Sequence, residues 1–169
     1  MIGSQSKHNF ENVCGDFNIR IDRNGLWYYQ GTPITRKSMI KLFSKVLKKD
    51  SNGEYWLITP YERGRIEVDD VPYLAEELHN KGHGKSQEIN FRTNIDEKIP
   101  LGPDYSLWLE FNKYSGVQLP YIETGKGLSA RLKRSVFYQL VELGEVREVK
   151  GDLCLGVWSR DKFFSLGNI

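Results

Sequence analysis

The second half of this chain repeats the kinds of residue found in its first half, and that repeat constrains the fold more than any other feature. WYYQGTPITRKSMIKLFSKVL (Trp27 to Leu47) lies over YIETGKGLSARLKRSVFYQLV (Tyr121 to Val141) without a gap. In this pairing Gly31 falls on Gly125, Ile34 on Leu128, Thr35 on Ser129, Lys37 on Arg131 and Phe43 on Phe137. After a short insertion, GEYWLITPYERGRIEV (Gly53 to Val68) lies over GDLCLGVWSRDKFFSL (Gly151 to Leu166). A supersecondary unit that cannot bury its apolar face alone can bury it against a copy of itself. The repeat therefore speaks to architecture and names no reaction.

Within the first copy, Asn24-Gly25 between Ile19–Asp22 and Leu26–Gln30 predicts a tight hairpin, because both turn residues of that type take positive φ. Thr35 is placed to cap a helix from Arg36 to Lys49, with Met39, Ile40, Phe43, Val46 and Leu47 as its buried stripe. Tyr55–Thr59 and Arg65–Val68 read as a second hairpin. The second copy follows the same plan. Ser106–Phe111 and Val117–Glu123 flank NKYSG, and Ser129 caps a helix to Leu143 whose stripe is Leu132, Val136, Phe137, Leu140 and Val141. Leu153–Val157 and Lys162–Leu166 close it. Between the copies, the turn NKGHGKS, the strand QEINFRTN and a GPD turn predict a connecting hairpin.

The expected fold is α+β: two tandem strand-strand-helix-strand-strand units, antiparallel sheets with one helix packed on each. The expected divisions are a polar tail over 1–12, a first repeat unit over 13–70, a connecting hairpin region over 71–104 and a second repeat unit over 105–169.

Composition narrows the partners. The formal net charge is +2, which disfavours a strongly nucleic-acid-like surface. No apolar run is long enough for a membrane span. The first residues show no hydrophobic segment of the secretory kind, so the expected location is the cytoplasm. Cys14 and Cys154 are accordingly expected as free thiols.

The feature with most chemical content is the start of each predicted helix. TPITRKS and KGLSARLKR carry basic residues where the positive end of the helix dipole favours acids. Cations there make sense if an anion lies between them and the backbone N–H groups. Thr35, Arg36 and Lys37 in one copy, with Ser129 and Arg131 in the other, are the candidate anion contacts. Arg92 in FRTN is an additional candidate, although pairing with an acid is the commoner role for such a residue. The stripe Lys37, Lys41, Lys45 and Lys48 reads as a solvated face, since the second helix does not repeat it.

Glu67, Asp69 and Asp70 could hold a divalent cation or act as an acid–base pair. The second copy has no matching acids, and a surface strand end partnered by Arg63 and Arg65 is the preferred reading. His79 and His83 have helical ligand spacing, but Gly82 and Gly84 interrupt any helix there. No nucleophile elbow, phosphate-binding loop or dinucleotide fingerprint is present, so no cofactor, metal or catalytic residue is assigned.

The letters themselves bring a family into view. The run from CGDFNIRIDRNGLWYYQG through ERGRIEVDDVP, then INFRTNIDEKIPLGPD, PYIETGKGLSARLKRSVFYQLVELG and the terminal FFSLG, resembles the bacterial family of domain of unknown function 1285. The resemblance spans nearly the whole chain after the first dozen residues. It implies a cytoplasmic bacterial protein with a repeated α+β motif, for which a part in signal transduction has been suggested, and it supplies no catalytic residues. The expected function is a non-enzymatic binding or regulatory module that recognises an anionic small molecule or peptide. A second copy of the chain is a further candidate partner. The alternative is a small metal-assisted hydrolase or phosphate-handling enzyme using Glu67, Asp69 and Asp70.

Overall fold

The computed structural model describes residues 13–169, and the polar tail expected over 1–12 lies outside them. The fold is α+β and mostly strand, with two helices. In chain order the elements are β1 (Val13–Ile21), β2 (Trp27–Tyr29), β3 (Thr32–Pro33), α1 (Lys37–Lys45), β4 (Leu47–Lys49), β5 (Tyr55–Ile58) and β6 (Glu62–Val68). Then come β7 (Tyr73–Lys81), β8 (Glu88–Thr93), β9 (Lys98–Leu101), β10 (Leu107–Asn112), β11 (Val117–Gly125) and β12 (Leu128–Leu132). The chain continues through α2 (Arg134–Glu142), β13 (Glu145–Val149), β14 (Asp152–Ser159) and β15 (Lys162–Asn168).

The described residues form two compact units, one from 13–20 with 27–67, the other from 21–26 with 68–169. The first holds a six-stranded sheet of order β3-β2-β1-β6-β5-β4. The second holds a six-stranded sheet of order β10-β11-β12-β7-β8-β9 and a three-stranded sheet β13-β14-β15.

The expected hairpin around Asn24-Gly25 forms with a different turn. Only Gly25 of the pair takes positive φ, and the Asp22 carboxylate accepts the Asn24 and Leu26 N–H groups at 2.8 and 3.0 Å. An aspartate that satisfies two turn amides removes the need for a second left-handed residue. The next turn, Gln30-Gly31, has the two consecutive positive φ angles, 47° and 79°, of a tight hairpin. Past α1, Asp50 ties its loop by accepting from the Asn52 and Glu54 N–H groups and from the Trp56 indole.

The helices are shorter than expected, and neither hydroxyl caps one. The residue before α1 is Arg36 and the residue before α2 is Lys133, neither with a side-chain capping bond. Ser129 lies in β12, where its backbone pairs with Glu123 of β11. The residues read as a cap and first turn are instead held by a strand ladder, which satisfies the same amides in extended form. This displaces the alignment of the copies. The turn equivalent to Gln30-Gly31 is Lys126-Gly127, with φ of 57° and 73°. Counted from these turns, Gly31 lines up with Gly127, and Lys37, the first residue of α1, with Arg134, the first residue of α2.

The expected connecting region supplies three strands of the second unit's larger sheet. β12 pairs with β7 in parallel, so this sheet is mixed where antiparallel sheets were expected. Its core includes Ala75, Ile89, Phe91, Leu101, Ile122, Ala130 and Leu132, all within 2% of complete burial. The β14–β15 turn locks onto β8 and β9. Ser159 Oγ donates to the Leu101 carbonyl at 2.6 Å and accepts the Ile89 N–H at 3.0 Å, while Arg160 Nη1 donates to the Ile89 and Leu101 carbonyls, each at 3.0 Å. Among the described residues no helix is long and apolar enough to cross a membrane.

Candidate functional site

α1 and α2 occupy corresponding places along the chain but pack differently. In α2, Val136 and Leu140 are completely buried. α1 buries none of its residues. Of the stripe expected to be buried, only Leu47 is, and it belongs to β4. Met39 remains 39% exposed. A nine-residue helix is marginal in isolation and ordinarily depends on the burial of one face.

The space left under α1 is a cleft of about 740 Å³, within the ~300–1,000 Å³ range of small-molecule sites. From the helix side Met39, Phe43 and Val46 line it; from the sheet, Phe17 and Ile19 of β1, Tyr29 of β2 and Leu57 of β5. Phe43 is braced by stacking on the buried Trp27 at 6.2 Å between ring centroids. The Phe17 ring lies flat on Gly64 of β6, where an added Cβ would sit 2.3 Å from ring carbons. Gly64 thus makes room for the ring, which forms part of the cleft floor.

The polar part of the lining is small. Among the described residues Thr32, Thr35 and Thr59 contribute hydroxyls, Arg36 the one cation and Glu62 the one acid. Among the described residues no carboxylate lies within ion-pair distance of Arg36. Lys133, which stands before α2 as Arg36 stands before α1, is paired with Glu76 at 2.6 Å.

Of the residues expected to hold an anion, Thr35 and Arg36 line this cleft, and the exposed Lys37 opens α1 beside them. The other three belong to the second unit, where Ser129 is paired through its backbone in β12 and the two arginines are engaged. Arg131 lies 3.6 Å from Asp70 and donates to the Arg23 carbonyl. Arg92 grips the Glu77 carboxylate with Nε and Nη2 and donates to Asp96 through Nη1 at 2.6 Å. These hydrogen bonds hold the Glu77 carboxyl down at about 2 and raise the Arg92 guanidinium above its ordinary value. Their charge is spent on internal acids.

The three acids considered for metal chemistry lie at the end of β6, with Glu67 in the strand and Asp69 and Asp70 in the bend that follows. Asp70 accepts a hydrogen bond from the Tyr121 hydroxyl at 3.0 Å. Burial first, then the Asp70 charge and hydrogen bond, push that hydroxyl up to about 12. Among the described residues no group of three His, Cys, Asp or Glu side chains could hold a metal ion. His79 lies on β7 beside Glu77, not on a helix. Cys14 and Cys154 are both free.

Sequence reasoning missed the cleft because it treated the α1 stripe as filled core. The usable signal in KSMIKLFSK was slight: Leu42 stands off the Met39, Phe43 and Val46 stripe and is 61% exposed.

Residues 8–71 match the family model described as "Domain of unknown function (DUF1285), N-terminal domain", and residues 72–166 match "Protein of unknown function (DUF1285), C-terminal domain". The chain belongs to the DUF1285 family. The cleft falls entirely within the N-terminal DUF1285 segment. A DUF1285 protein from Silicibacter pomeroyi DSS-3 is similar in structure, with a TM-score of 0.84 and 34% identity over 99% of this chain and 89% of that one. A second, from Shewanella baltica OS155, has a TM-score of 0.58 and 26% identity over 74% of this chain and 91% of that one. No curated protein matches the chain.

Proposed function

We propose that this protein is a binding module whose ligand occupies the cleft beneath α1. The observation that carries the reading is the contrast between the helices. Taken as two versions of one strand-and-helix plan, the units serve as controls for each other. One fills its helix with Val136 and Leu140, while the other leaves an apolar space under α1. Unfilled apolar walls forgo hydrophobic stabilisation worth roughly 25 cal/mol per Å², so a ligand that covers them gains that term. The walls are mostly carbon, which suits retention of a molecule more than chemistry upon it. A regulatory role, including one in signal transduction, follows naturally if occupancy sets how firmly α1 is held.

Titration with a neutral naphthylamine fluorophore tests the reading. We expect saturable binding at one site and a rise in melting temperature with ligand concentration, as linkage requires. Met39→Glu puts a charge in the cleft at a part-exposed position and is expected to abolish binding with little change in melting temperature. Absence of saturable binding, or equal binding by this variant, refutes the proposal.

A further inference from the structure

Resting on that cleft reading, we infer that its ligand is an amphiphile: a hydrocarbon body in the cleft and a single anionic oxygen head against Arg36. The cleft supplies the body's place, since Phe17, Met39, Phe43 and Leu57 present carbon to it. The head's place follows from charge. Among the described residues Arg36 is the only cation of the lining, and it has no carboxylate partner there, neither Glu62 across the lining nor any other.

The second unit shows what internal neutralisation looks like at the matching position, where Lys133 is paired with Glu76. In the first unit the corresponding cation stays open and borders an apolar space. The local field has the same sign: the first turn of α1 contains no acid, and the positive end of its dipole lies beside Arg36. A planar guanidinium offers paired N–H donors to a carboxylate or phosphate. An uncharged hydrocarbon would leave that cation unused, and a small inorganic anion would leave the walls uncovered. An amphiphile satisfies both.

Displacement of the bound fluorophore by dodecanoate, dodecyl phosphate and dodecanol tests this. We expect both anions to compete more strongly than the alcohol, and their order to tell whether carboxylate or phosphate is preferred. Arg36→Gln should weaken the anions about three- to tenfold, as for one exposed charge-assisted contact, and leave dodecanol unchanged. Glu62→Gln, which removes the repelling acid, should tighten the anions. Arg134→Gln, at the start of the other helix, should change nothing. If dodecanol competes as well as dodecanoate and Arg36→Gln has no effect, the anionic head is wrong while the apolar cleft stands. If the fluorophore itself fails to bind, both readings fall together.

Discussion

Gly64→Ala is the sharpest probe of how the cleft is built. The new methyl carbon would lie 2.3, 2.3 and 2.5 Å from three carbons of the Phe17 ring, where carbon–carbon contacts settle at ~3.5–4.0 Å. The ring must therefore retreat by about 1 Å or more, and the open direction is into the cleft. Overpacking of this kind costs about 1–3 kcal/mol. Replacing a strand glycine returns roughly 0.5–1 kcal/mol of backbone entropy, because φ at Gly64 lies outside the left-handed region. The expected net loss is about 1–2 kcal/mol.

Urea unfolding measures that loss, and fluorophore titration should show binding weakened at the same time. Phe17→Leu added to Gly64→Ala removes the colliding ring and should recover most of the lost stability. The coupling expected in the double-mutant cycle is about 1–2 kcal/mol. Additive behaviour of the two substitutions, or unaltered binding in Gly64→Ala, would refute the view that the ring is seated on the glycine as the cleft floor.

Two further predictions concern the second unit. Ser159→Ala orphans the buried Ile89 N–H and removes one of the donors to the Leu101 carbonyl, which keeps Arg160; the expected cost is about 2–4 kcal/mol, and a loss too small to measure by urea unfolding would sink the clasp. The Glu77 carboxyl, lowered from 4.5 to about 2 by Arg92 and then by His79, contributes stability that is present above pH 4.5 and lost as pH falls towards 2. Wild-type melting temperature should therefore fall more steeply through that window than that of Glu77→Gln, and parallel curves would contradict the pairing.

Much of the architecture was legible in local residues. Asn-Gly, Asp-Ser-Asn-Gly and Asn-Lys-Tyr-Ser-Gly marked turns because glycine and short polar side chains satisfy tight backbone bends without long-range help. The strands on either side followed from their alternation. What resisted reading was the register between the copies. KGLSAR looked like a helix start since a hydroxyl followed by basic residues resembles a cap. In the structure its amides are bound across a sheet, with β11 on one side and β7 in parallel on the other. No local sequence records which distant strand will compete for those amides.

The candidate site divides in the same way. Sequence alone put cations in the first turn of each expected helix without an acid there, and it placed an apolar stripe on α1. Both are properties of neighbouring residues. Only the tertiary structure decided that Arg131 and Arg92 would spend their charge on Asp70, Glu77 and Asp96, while Arg36 would keep its own. It also decided that the α2 stripe would close on core and the α1 stripe on a cleft. The physical reason is that pairing and burial depend on what the rest of the chain brings to each face, and periodicity specifies only which face is offered.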